Sequence, residues 1–238
     1  MVYNGLMFEG KTVGAVLLLG GEGRRFGGAI PKQFCLLGGK KIYRYALDIF
    51  LDLGFFDEIL LVVHPDWTDL AHPGTRVVIG GKTRQESSFR GVMALKKGMD
   101  LALIHDAVRP FVTERIVKEN VAAAIKWGAA NTCVPSTDTL VYAPEGGKIT
   151  SIPKRAEYLR GQTPQTFRMD WILKAHEKAL EDRIENASDD CQLVLRLGKS
   201  IHAVAGEETN LKITSKFDLF TAEQLLAKGR AGDFHQRI

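Results

Sequence analysis

The stretch "LLLGGEGRRFGGAIPKQF", Leu17 to Phe34, runs an apolar segment into a glycine loop that carries cations. The apolar segment starts at Val13, and "VGAVLLL" is continuous rather than alternating. Such a strand is buried on both faces, as in a parallel sheet covered by helices. It stops in Gly20-Gly21, where bare backbone can approach a ligand closely. Arg24, Arg25 and Lys32 follow, and they repel one another unless an anion lies among them. Amides and cations together make a cradle for a polyphosphate. Pro31 restrains the chain ahead of Lys32. The loop is not the dinucleotide fingerprint, because "GEGRRF" puts Phe26 where a third glycine belongs. A tight turn without a ligand is the plainer reading of these glycines taken alone.

Outward from this loop the pattern repeats. Glu58 to His64 ("EILLVVH"), Arg76 to Ile79, Leu101 to His105, Ala130 to Val134 and Ile201 to Val204 read as strands. Ile42 to Leu53, Thr83 to Lys97, Thr113 to Trp127, Met169 to Leu180, Asp189 to Leu197 and Ser215 to Lys228 have helical spacing. Thr83 and Glu86 have capping-box spacing, and Thr113 reads as an N-cap. Alternating strands and helices give an α/β fold, a doubly wound and mostly parallel sheet. Ligands bind beyond the carboxyl ends of such strands. The loops after Leu19, Ile79 and His105 should therefore share one edge. The stretch 137–160 breaks the rhythm: "TLVYAPEGGKITSIP" reads as a β-hairpin excursion around Glu-Gly-Gly, a flap or a dimer arm. The chain reads as a single domain, 1–238, with this arm inside it; its polar last residues are expected to fray.

Composition excludes several classes. The chain has 238 residues, 45% hydrophobic and 25% charged, values typical of a globular domain with one sizeable core. A net charge of +4 is far from a nucleic-acid-binding tail; it is ordinary surface or a mild attraction for anionic small molecules. Cys35, Cys133 and Cys191 are scattered, which points to reduced thiols and a cytoplasmic location. No signal-peptide pattern and no membrane-length apolar run is present.

Three further motifs carry candidate chemistry. "GGKT" at Gly80 to Thr83 is not a P-loop, because Arg76 stands where its first glycine belongs. It reads as a glycine turn opening a helix, whose amides and Ser87 hydroxyl hold a base or ribose, or simply as a helix start. "HDAVRPF" puts Asp106 and Arg109 just past an apolar strand. The pair suits a sugar hydroxyl or a metal-phosphate, or forms a salt-bridged turn; His105 reads as a satisfied structural histidine. In "NLKIT", Lys212 alternates out of an apolar strand, where an edge lysine discourages aggregation. Asp189 and Asp190 in "SDD" suit a helix's first turn and require no metal.

Together, "GGEGRRF…PKQF", "GGKTRQES", "HDAVRPF", "TDT", "GQTPQTF", "SDD" and "NLKIT" resemble the cytidylyltransferases that activate polyol phosphates with CTP. They occur in family order from Val13 to about Leu226. The resemblance implies a Rossmann-like nucleotidyltransferase fold whose glycine loop, Leu18, Leu19, Gly20, Gly21 and Gly23, holds the triphosphate. By the same resemblance, Arg25 and Lys32 stabilise the transition state, and Asp106 and Lys212 surround the acceptor and α-phosphate. Gly81, Lys82 and Ser87 fall where cytosine is read. Arg109, Thr139 and Thr163 join the nucleotide site, the two threonines at polar contact positions. Arg155, on the excursion, matches an arginine that reaches the acceptor in a neighbouring subunit, which implies a homodimer with exchanged arms. Mg²⁺ is expected, bound mainly through the CTP phosphates. Lys82 replaces an aspartate common among methylerythritol phosphate enzymes, and Ser188 stands where threonine is frequent. Gly161 and Lys82 look more like the branch that takes ribitol 5-phosphate, with 2-C-methyl-D-erythritol 4-phosphate as the alternative acceptor.

Rival readings are a sugar-1-phosphate nucleotidyltransferase, disfavoured by "GQTPQTF" and "NLKIT", and a non-catalytic nucleotide-binding protein. A nucleic-acid module would need a basic stripe with interleaved aromatics, which is not found.

Overall fold

The computed structural model describes residues 8–20, 30–70, 72–144 and 146–229. The apolar run after Thr12 forms β1 (Val13–Leu18), every residue of it buried. Short strands β2 (Leu36–Leu37) and β3 (Lys40–Lys41) make a small hairpin that leads into α1 (Ile42–Leu53). Then come β4 (Glu58–Val63), β5 (Arg76–Ile79), α2 (Arg84–Ala94), β6 (Leu101–Asp106) and α3 (Glu114–Trp127). The second half adds β7 (Ala129–Pro135), β8 (Leu159–Arg168), α4 (Met169–Glu181), α5 (Asp190–Arg196), β9 (His202–Ala205) and α6 (Lys216–Ala227).

Seven strands join in one sheet, in the order β5-β4-β1-β6-β8-β7-β9. β1 pairs parallel with β4 and β6, in register Leu18↔Val62 and Leu18↔Asp106, so these three strands end level with one another. Only β8 runs against its neighbours β6 and β7. Successive side chains of β1 point to opposite faces. Ala15 and Leu17 meet Leu47 and Phe50 of α1 and Val117 and Val121 of α3. Val16 and Leu18 meet Val92 of α2, Ile172 and Ala175 of α4 and Val194 of α5. A third cluster packs Ala222 of α6 against Leu37, Val108, Phe111 and Ile213.

Local chemistry sets the helix starts. Thr83 accepts from Glu86 N at 3.1 Å, but the Glu86 carboxylate turns to Lys82 N at 2.7 Å, so only half of the expected capping box forms. Ser215 and Asp218 make the complete box at α6. Gly91 lets α2 lie close on the sheet: a Cβ there would come within 2.4 Å of Val16 Cγ1.

Three expectations need correction. β8 is a full strand where the sequence reading placed none. The "NLKIT" segment is extended loop, not a strand, and is pinned by Ile213 N donating to Val108 O at 2.9 Å. The excursion is a hairpin held by an antiparallel bridge between Tyr142 and Ser151 rather than by two strands. Glu145 of its turn, and the frayed end expected beyond residue 229, lie outside the described residues.

Candidate active site

The carboxyl edge of the parallel strands gathers the loops that the sequence singled out. Leu19 N donates to Val62 O at 2.8 Å, Ala107 N to Leu18 O at 3.1 Å and Gly80 N to Val63 O at 2.7 Å. The Ser87 hydroxyl accepts from Gly81 N at 3.0 Å. A Cβ on Gly20 would stand 3.4 Å from that same Oγ. Leu18, Leu19, Gly20, Gly81 and Ser87 are thus brought together, while Lys82 beside them is exposed. On the far side of the loop, Lys32 opens a short 3-10 turn, and the buried Gln33 amide donates to Leu19 O. That bond ties the lysine-bearing turn back to the end of β1. Gly21, Gly23, Arg24 and Arg25 lie outside the described residues.

Asp106 is the charged centre. Its Oδ1 accepts from Arg84 Nε at 3.1 Å and its Oδ2 from Lys212 Nζ at 2.7 Å. Burial alone would raise its pKa, but Arg84 and Lys212 hold it well below the usual carboxylate range. β8 enters the sheet at this edge because it is antiparallel, so Thr163 lies beside the end of β6. Asp106 N donates to Thr163 Oγ1 at 3.1 Å, and that hydroxyl lies 3.1 Å from His105 Nδ1. His105 Nε2 is 3.4 Å from Arg109 O. The set is satisfied when the Thr163 proton goes to Nδ1 and Nε2–H donates to the carbonyl. His105 is fully buried, and burial pushes its pKa down to about 4, so it is the neutral structural residue expected.

Two neighbours bring Lys212 here. Arg109 Nη1 donates to Asn210 O at 2.8 Å. The buried Asn210 amide donates to Gln162 Oε1 and Thr163 O, both at 3.0 Å. The loop after β6, β8 and the 210–214 segment therefore form one hydrogen-bonded unit. Arg109 is a strut within it, and burial lowers its pKa.

Thr139 and Arg155 are elsewhere. Both are exposed on the excursion, where Arg155 Nη1 donates to Thr137 O at 2.8 Å. Among the described residues, no hydrogen bond links either of them to the Asp106 cluster.

Sequence reading passed over Arg84, Gln33, Gln162 and Asn210. Arg84 lies inside the quoted "GGKTRQES", and its place in the first turn of a helix that follows a ligand loop was the available signal. Its Nη1 donates to Asp190 Oδ2 at 2.8 Å. Asp190 also accepts from Ser88 Oγ at 2.6 Å and is 1% exposed. The acidic helix start in "SDD" thus divides its work: Asp189 caps α5 through Gln192 N at 2.9 Å, and Asp190 is a buried ion-pair partner.

Glycine turns beside the ends of neighbouring parallel strands, with a fixed carboxylate between two cations, define an α/β nucleotidyltransferase. The chain belongs to the IspD family, 2-C-methyl-D-erythritol 4-phosphate cytidylyltransferase, whose pattern matches residues 13–228. It is accordingly an enzyme, a cytidylyltransferase. It is 34% identical, over 90% of its length and 98% of the relative's, to a ribitol-5-phosphate cytidylyltransferase of Lactiplantibacillus plantarum. Among solved structures it resembles the 4-diphosphocytidyl-2C-methyl-D-erythritol synthase of Anaerococcus prevotii, with a TM-score of 0.81 and 30% identity over 92% of this chain and 99% of that one. It also resembles the 2-C-methyl-D-erythritol 4-phosphate cytidylyltransferase of Thermus thermophilus, with a TM-score of 0.73 and 36% identity over 90% and 98%. Among the described residues no helix is long and apolar enough to cross a membrane.

Proposed function

We propose that the enzyme, acting as one nucleotidyltransferase domain, transfers CMP from CTP to ribitol 5-phosphate, giving CDP-ribitol and pyrophosphate. The observation that carries a transfer at this edge is the Asp106 carboxylate held between Arg84 and Lys212, in register with Leu18 at the end of β1. The acceptor rests on the Lactiplantibacillus relative, together with Gly161 and Lys82. An oxygen of the acceptor phosphate attacks the α-phosphorus in line, its bond to the bridging oxygen breaks, and pyrophosphate leaves. The acceptor is already ionised near neutral pH, so positioning and charge neutralisation carry the catalysis.

In this reading Arg25 and Lys32 offset charge growing on the α-phosphoryl group and on pyrophosphate. Lys212, 35% exposed, offers its ammonium to the α-phosphate or the incoming phosphate while Asp106 fixes its direction. Gly81 and Ser87 receive the nucleoside, with Lys82 through its backbone, beside Gly20 of the triphosphate loop. Mg²⁺ neutralises triphosphate charge when bound. Both oxygens of Asp106 are already engaged by cations, which favours an ion held by the phosphates. Arg155 acts on the acceptor of a partner subunit, with Thr139 near it on the same arm. Tyr142, Ile149 and Ile152, all more than half exposed there, suit an arm that packs on a second copy.

A second acceptor, 2-C-methyl-D-erythritol 4-phosphate, is favoured by the matching family pattern and by the solved relatives. Pyrophosphate release from CTP and Mg²⁺, measured with each polyol phosphate in parallel, separates the two. Preference for ribitol 5-phosphate is expected. Preference for the methylerythritol compound refutes the acceptor and keeps the chemistry, and release with neither refutes both.

A further inference from the structure

Resting on the transfer reaction proposed above, we infer that Arg84 is a positioning residue: one guanidinium aligns Asp106, and through it Lys212, while locking α2 to α5. The contact geometry argues for this. Nε goes to Asp106 and Nη1 to Asp190, at 3.1 and 2.8 Å. Nη2 is buried and has no hydrogen-bond partner among the described residues. An arginine serving only to neutralise Asp190 would offer it two parallel donors, the favoured arrangement with a carboxylate. This one leaves a donor unpaired and spans two carboxylates from different elements.

Asp190 is built as the anchor. It is 1% exposed, takes the Ser88 hydroxyl on its other oxygen, and has His176 Nε2 3.2 Å away. Asp106 is the end that acts. Each of its oxygens holds one cation, so its plane is fixed from opposite sides by α2 and by the 210–214 segment. Without Arg84 the carboxylate is free to turn both oxygens toward Lys212 and draw that ammonium away from substrate phosphate. Arg84 also stands just beyond Gly81 and Lys82, after the N-cap Thr83, and Ser188 and Asp189 directly precede Asp190. A single side chain thus joins the turn assigned to the nucleoside with the loop that leads into α5.

The test compares Arg84→Lys, Arg84→Gln and the double variant Arg84→Gln with Asp190→Asn. Lysine keeps the charge but lacks the fork that reaches both carboxylates. The double variant leaves no unpaired buried carboxylate at α5, which guards against simple unfolding of the single glutamine variant. The readouts are CTP affinity by calorimetry, kcat and KM by pyrophosphate release, thermal stability, and the Asp106 titration by carboxyl carbon-13 NMR. Groups facing Asp106 are Arg84 from α2, Lys212 from the 210–214 segment, Arg109 from the loop after β6, and neutral His105 before it. Of these only Arg84 changes. The lysine and double variants are expected to bind CTP with little change and to lose about 10²-fold in kcat, the cost of a misplaced reacting group. Their Asp106 titration moves up toward the ordinary range. Loss of thermal stability with unchanged kcat and unchanged Asp106 titration overturns the inference and leaves Arg84 as structural glue. If the wild-type enzyme releases no pyrophosphate with any polyol phosphate, the reaction falls, and the Asp106 titration still decides whether Arg84 governs that carboxylate.

Discussion

Acidification tests the buried His105 and the neutral network that it completes. Its pKa lies at about 4 in the folded protein, against 6.5 for the free side chain. Burial is the main cause: the imidazole is fully enclosed under Asp106, between Thr163 and the Arg109 carbonyl. The unfolded chain therefore binds a proton between these two values while the folded one does not, and stability falls as pH falls through that window. The interval is about 2.5 units, or ~3 kcal/mol in full, and ~2 kcal/mol of it is already lost near pH 5. Asp106 does not confuse the reading, because its folded value is depressed and its unfolded value lies below the window. The assay is urea unfolding near pH 7 and near pH 5, for wild type and His105→Gln. The other histidines contribute equally to both proteins, so the difference in pH dependence isolates His105. Wild type is expected to lose ~2 kcal/mol more than the variant between the two conditions. Equal losses refute the neutral network, and with it the placing of Thr163 as a donor to His105.

Lys32→Ala is expected to keep its fold and lose at least ~10²-fold in turnover, as removal of an oxyanion donor does; near-normal pyrophosphate release would count against its role. Gly91→Ala drives a methyl into Val16 and Val62 and should cost ~1–3 kcal/mol by overpacking, read by urea unfolding, with weaker CTP binding because α2 carries Ser87. On the proposed dimer arm, Ile152→Glu should turn a dimer in sedimentation into a monomer and lower turnover by withdrawing the arm's Arg155. A variant that stays fully dimeric and active would exclude the arm as the contact.

Much of this fold is written in local pattern. Continuous apolar runs placed β1, β4 and β6, and the span read for α1, Ile42 to Leu53, is the helix observed. β8 escaped because its residues are polar and contain Pro164, which argues against a central strand. The register between β7 and β8 shifts there, Asn131 pairing Gln165 but Cys133 pairing Gly161, so the missing N–H falls at the irregularity. Its polar groups are tolerated inside because they bond to polar groups of other elements. Thr166 donates to Asn120 Oδ1 at 2.6 Å, and Thr132 donates to Pro164 O at 2.7 Å. No periodicity announces a buried polar network, since its satisfaction depends on partners far along the chain.

The site divides along the same line. The sequence alone determined the alternating strands and helices, the edge where the candidate loops gather and most of the charged candidates, because strand burial and glycine loops follow from neighbouring residues. Only the tertiary structure decided that Lys212 is a partner of Asp106 rather than an edge lysine, and that Asp190 is a buried anchor rather than a helix-start acid. It alone revealed that Arg84 joins the two carboxylates. Each of those is a pairing of charges carried by separate elements, and which charges meet is settled by how the sheet stacks its helices and loops.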